Sequence, residues 1–135
     1  MYTYKMTHHK QTKVVNVKVK CIRPTYENLQ EWVKDDDNVY IGRAGIVFIK
    51  NNDGIKARFP KKSSIWANPF KIQKNISRER VLELYESYIK EKITKDPEIY
   101  NIDTLKGKNL GCWCKPEGCH GDVLKKIIEN KYLNR

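Results

Sequence analysis

Apolar and polar residues alternate along Val14-Val-Asn-Val-Lys-Val-Lys-Cys21, the period of two that a half-buried strand requires. Pro24 ends that run, and Tyr26-Glu-Asn-Leu-Gln-Glu-Trp-Val33 reads as a short helix. Val39-Tyr-Ile-Gly-Arg43 predicts a second strand. The segments 46–50 and 55–59 flank Asn51-Asn-Asp-Gly54, a hairpin signal because Asp-Gly tolerates positive φ. A turn-rich loop follows over residues 60–69. Ser77 is a good N-cap, and Val81, Leu82, Leu84, Tyr85, Tyr88, Ile89 and Ile93 recur behind it at helical spacing until Asp96-Pro97 stops the helix. Lys108-Asn-Leu-Gly-Cys-Trp-Cys114 reads as a short buried strand. A last helix opens at His120 or Gly121, with Val123, Leu124, Ile127 and Ile128 as its apolar stripe.

Strands that alternate with helices predict an α/β fold: a single small layered domain, mostly a parallel sheet flanked by helices, with an inserted β-hairpin. No repeat or linker divides the chain. The expected division is a flexible basic leader over residues 1–12 and one α/β domain over 13–135. A chain of 135 residues buries enough surface for a cooperative core.

Composition adds a partner class. The formal net charge is +11, unevenly spread. Residues 1–20 carry five lysines and no carboxylate; residues 56–80 carry Lys56, Arg58, Lys61, Lys62, Lys71, Lys74, Arg78 and Arg80 against Glu79 alone. Such a surface favours polyanions: a nucleotide or other phosphorylated small molecule, and non-specific DNA or RNA. A plain solvated lysine face explains the same charge. No apolar run approaches the length of a membrane span, and the polar N-terminus lacks a secretion signal, so a cytoplasmic protein without membrane contact is expected.

Chemistry concentrates at one place. Three of the four cysteines fall within Cys112-Trp-Cys-Lys-Pro-Glu-Gly-Cys-His-Gly-Asp122. Cys112 and Cys114, two apart on a strand, should share a face, with Trp113 directed the other way. Cys119, His120 and Gly121 would then lie at a strand's carboxyl end and a helix N-terminus, where α/β sheets bind ligands and where amides favour anions. Two chemistries fit. In one, Cys119 is a nucleophile with a lowered pKa, His120 moves protons, and Asp122 orients it or accepts a substrate hydroxyl, with Cys112, Cys114 and Gly121 lining the ligand and no cofactor required. In the other, Cys112, Cys114, Cys119 and His120 hold a structural zinc ion, although the spacing is not that of paired C-x-x-C knuckles. A third reading makes the cysteines small core residues, as is expected of Cys21.

A second group is Ile41-Gly42-Arg43 with Trp66-Ala67-Asn68-Pro69-Phe70. Gly42 lets the backbone approach a ligand, and Arg43 offers a planar fork for phosphate or carboxylate. Asn68 is held extended by Pro69, and Trp66 or Phe70 would stack on a base or pack in the core.

Val39-Tyr-Ile-Gly-Arg43, Trp66-Ala-Asn-Pro-Phe70 and the Cys112 to Asp122 segment occur in that order, and together they resemble the family called domain of unknown function 4326, known from phages, large DNA viruses and microbes. The resemblance spans residues 14–128 and implies one coherent site, but no activity. It also implies a viral or phage source, and host cytosol as the compartment. Ala67 stands where that family has glycine, and the 46–59 hairpin reads as an insertion. The Cys-His start of the last helix also resembles a second α/β family that ends strand-loop-Cys-His-Arg without the extra cysteines. The expected function is therefore a nucleotide- or nucleic-acid-related enzyme or ligand-binding domain. The alternatives are a zinc-stabilised DNA- or RNA-binding module and a viral structural protein.

Overall fold

A computed structural model describes residues 11–50, 53–71, 73–115 and 117–133. Its centre is a three-stranded parallel sheet in the order β1 (Lys13–Asn16), β5 (Asn109–Cys112), β2 (Asn38–Tyr40). The last strand in sequence is thus the middle one, paired Val14 to Leu110 on one side and Val39 to Leu110 on the other. A separate antiparallel hairpin joins β3 (Val47–Lys50) to β4 (Lys56–Phe59). Small α/β architecture, parallel sheet and hairpin are as the pattern predicts. Residues 1–10 of the expected leader lie outside the described residues, while Thr12, at its end, is buried and accepts a hydrogen bond from the Gly107 amide.

Alternation along the strands sorts side chains into two cores. Val14, Val39, Leu110 and Cys112 face the long helix α3 (Arg78–Lys95) and the last helix α4 (His120–Leu133), against Tyr85, Ile89, Leu124 and Ile128. Val15, Tyr40 and Trp113 join Val17, Ile22, Leu29 and Trp32 on the opposite side. There the cover is two single-turn helices, α1 (Val19–Ile22) and α2 (Leu29–Trp32). Trp113 is therefore directed away from Cys112, as period-two geometry requires.

Two elements end short of the pattern. The first strand stops at Asn16 because its partner stops at Cys112: the Val17 amide makes the final bond, to the Cys112 carbonyl. The Asn16 side chain then accepts from the Lys18 amide, and the chain turns into α1. This leaves Cys21 exposed, so the expectation that it is a core residue is corrected. The expected 26–33 helix shrinks to α2, because Asn28 caps it by accepting from the Glu31 amide. Ser77 caps α3 as expected, through the Arg80 amide.

Two glycines make close layers possible. A Cβ on Gly111 would lie 2.5 Å from the Trp32 ring and 2.7 Å from Val17. A Cβ on Gly121 would lie 2.7 Å from Val14, so glycine is what lets α4 rest on β1. Gly121 packs the helix onto the sheet and does not line the cavity described next, which corrects its expected ligand-binding role.

Candidate functional site

Parallel strands carry their carboxyl ends to one edge, and the chains leaving β2 and β5 there build a cavity of about 410 Å³. Gly42, Arg43, Asn68, Cys112, Cys114, Cys119 and His120 all line it, so the two sequence groups meet at one site. Trp66 does not. It is 4% exposed, its carbonyl accepts from the Tyr85 hydroxyl at 2.7 Å, and its ring meets Tyr100 edge-on. Of the two roles open to Trp66, stacking on a ligand or packing in the core, it takes the core one, because the turn at Ser64 folds it inward. Phe70 is the aromatic of that loop that reaches the cavity.

The entrance loop is held by main-chain acceptors. Arg43 donates from Nε (3.2 Å) and Nη2 (2.8 Å) to the Asn68 carbonyl, and from Nη2 to the Phe70 carbonyl. Asn68 Oδ1 accepts from the Phe70 amide at 2.9 Å, which leaves its Nδ2 as a donor. Arg78, at the start of α3, donates from Nη1 to the Gly118 carbonyl. Each arginine is thus pinned by part of its fork. Lys71 also lines the cavity, and no carboxylate is among the described lining residues. Sequence reading marked Arg78 and Lys71 only as members of a basic block; the Ser77 cap, which fixes where Arg78 emerges, was the signal that could have placed it.

At the floor lie the two thiols. Cys112 Sγ and Cys119 Sγ are 3.1 Å apart, and the residues are 1% and 2% exposed. Cys112 is held down to about 6, first by the hydrogen bond from the Cys119 thiol, then by the Cys114 and Lys115 amides and the Lys115 ammonium; burial opposes them. Cys119 moves the opposite way, first through its hydrogen bond to Cys112, then through burial and the neighbouring Cys112 charge. Cys119 was expected to gain nucleophilicity from the helix N-terminus. The contact with Cys112 instead ties the two thiols into one pair that shares a proton, with Cys112 shifted down and Cys119 shifted up.

His120 is buried and directs Nε2 at the Ile41 carbonyl, 2.6 Å away. A carbonyl only accepts, so Nε2 carries the proton and Nδ1 has the lone pair. Burial, and then the Arg43 charge, hold His120 below its ordinary range, so the ring is neutral. Asp122 does not orient it. Its Oδ2 accepts from the Cys119 amide at 3.1 Å and its Oδ1 pairs with Lys115 at 2.5 Å, so it caps α4 and fixes the Lys115 ammonium near the thiolate. Asp122, expected to orient His120 or meet a substrate hydroxyl, is instead engaged by the Cys119 amide and Lys115. As for a metal, no group of three or more His, Cys, Asp or Glu side chains that could hold one is found among the described residues. The alternative quartet of Cys112, Cys114, Cys119 and His120 is not among such groups in the described residues.

No described helix is long and apolar enough to cross a membrane. A T4 phage protein described as "Uncharacterized 12.4 kDa protein in nrdA-td intergenic region" is 38% identical over 58 residues, which cover 42% of this chain and 53% of the phage protein. "Uncharacterized protein R718" of Acanthamoeba polyphaga mimivirus is 41% identical over 74 residues, which cover 49% of this chain and 54% of the viral protein. The chain thus spans about half the length of these curated relatives. No solved structure matches it. The family described as domain of unknown function (DUF4326) matches over residues 4–130, nearly the whole chain, and the chain belongs to that family.

Proposed function

We propose that this chain is a ligand-binding or catalytic domain for a nucleotide or a closely related phosphorylated small molecule, held in the cavity between Arg43, Arg78 and the Cys112–Cys119 floor. One observation carries the reading: the polar groups at the cavity's rim are donors. Arg43 and Arg78 each keep part of a fork free, Asn68 keeps its Nδ2, Lys71 adds an ammonium, and no carboxylate faces them among the described residues. Such a rim selects an anion, and phosphate oxygens accept from several donors at once. Phe70, Trp113 and Leu82 supply apolar walls, which suit a base or sugar face. The volume favours a small molecule over a polymer, although the charge of +11 would steer either.

Titration calorimetry with nucleoside mono-, di- and triphosphates tests this directly. One ligand should bind per chain, and Arg78→Ala should weaken binding by roughly tenfold or more, the worth of a lost charge-assisted hydrogen bond. Arg78 makes one contact to the Gly118 carbonyl, so the variant should keep its fold. Absence of binding by every nucleotide at low salt would overturn the reading. Binding only to long oligonucleotides, falling steeply with salt, would replace the cavity with the basic surface as the site.

A further inference from the structure

We infer that Cys112 and Cys119 form a two-thiol redox centre that reduces a small hydroperoxide and closes to an internal disulfide. The inference goes beyond the proposed ligand site and does not need a nucleotide.

The geometry carries it. Two sulfurs lie 3.1 Å apart, while Cys21 is exposed elsewhere and Cys114 lines the same cavity without a thiol contact of its own among the described residues. A disulfide requires about 2.05 Å, so closure needs a shift of roughly 1 Å between a strand end and a helix start. Both ends are adjustable: Cys112 is the last residue of β5, and Cys119 immediately precedes α4. Division of labour is also built in. Cys112 ends β5, three residues before Lys115, whose ammonium favours a charge on its sulfur, and it shares a proton with Cys119 across the contact, so we take it as the sulfur that carries charge. Lys115 is itself fixed by Asp122. The thiolate is the nucleophile of the pair, and a thiol in contact with it is placed to resolve the product.

Both residues are almost sealed and both line the cavity, which selects the oxidant by size. Hydrogen peroxide can reach the floor, whereas a bulky disulfide would have to bring its own sulfur into line there. In the first step the Cys112 thiolate attacks one peroxide oxygen and the O–O bond breaks. The departing hydroxide takes the Cys119 proton and leaves as water. Cys112 is then a sulfenic acid, and Cys119 a thiolate beside it. In the second step the Cys119 sulfur attacks Cys112 Sγ, the S–O bond breaks, and the expelled hydroxide takes from solvent the proton that Cys112 shed on ionising. The two sulfurs together lose two electrons, and the two peroxide oxygens gain them as two waters. A small-molecule thiol reductant reopens the pair.

The experiment uses the full chain, reduced, desalted and treated with one equivalent of hydrogen peroxide. The expected result is loss of two hydrogens in the intact mass, two titratable thiols remaining of four, and a peptide linking Cys112 to Cys119. Cys112 should oxidise roughly tenfold or more faster than exposed Cys21. Cys119→Ser should halt the reaction at a Cys112 sulfenic acid that a dimedone probe captures, whereas Cys21→Ser should change nothing. First oxidation at Cys21 or Cys114, or a native chain without the Cys112–Cys119 link, would overturn the inference. The native-chain peptide map decides the matter even if a cysteine variant fails to fold. No nucleotide is present, so failure of nucleotide binding leaves this outcome untouched.

Discussion

The ionisation of single residues sets how stability follows pH. Between about 6 and the ordinary thiol value of 9.0, unfolded chains hold a proton on Cys112 that the folded chain has released. Wherever the unfolded state binds more protons, stability rises with pH. A depressed acid of this kind contributes its stability above the unfolded value and loses it as pH falls through about 6. His120 acts in the same sense on the acid side, since burial keeps it neutral where the unfolded imidazole, near 6.5, charges. Cys119 reverses the slope in alkali, where the unfolded thiol ionises and the folded one does not. Urea unfolding at pH 6, 7 and 8 should therefore show a rising midpoint, and Cys112→Ala should flatten the rise. A midpoint that falls over this interval would contradict the thiolate assignment. Residue types were legible here and charge placement was not. The Cys-His cluster announced a thiol site, but which sulfur ionises depends on an S–S contact across seven residues of sequence that spacing alone does not reveal.

Elements meet through absences as much as through side chains. Gly121→Ala adds a methyl 2.7 Å from Val14, where helix meets strand. On propensity alone the change should help α4, by up to about 1 kcal/mol. Overpacking of a close contact costs about 1–3 kcal/mol, so the net effect should be a loss. Denaturant titration should show a lower midpoint with an unchanged slope. A stabilised variant would mean that α4 can slide off β1 at no cost. At this scale the sequence was a good guide to the long elements and a poor one to the short ones. Val81, Tyr85 and Ile89 recur at helical spacing, and all three are buried along α3. The alternation in Val14 to Cys21 continued past the point where pairing ends, because strand length is fixed by the partner, and β5 lies far along the chain. Trp66 kept two roles open for a related reason: a turn formed by the Ser64 side chain decides which way a loop aromatic faces.

At the level of the whole molecule, the order of strands has a consequence for how the protein comes to exist. Both edge strands lie in the amino-terminal third and wait for a middle strand that begins at Asn109. Asn38 and Asn109 meet across 71 residues, and Asn16 reaches Lys115 across 99. Until the middle strand exists, β1 and β2 have nothing to pair with, and the exit of the first hundred residues from a ribosome completes no part of the sheet. Distant pairing of this kind slows the search for the native state into the range of about milliseconds to seconds. A nascent chain arrested before Asn109 should be cut by protease throughout β1 and β2, while one that also exposes α4 should be protected. Synthesis itself would then act as a checkpoint: the thiols at the cavity floor arrive in the same stretch of chain that completes the sheet, so a chain cut short has neither architecture nor chemistry.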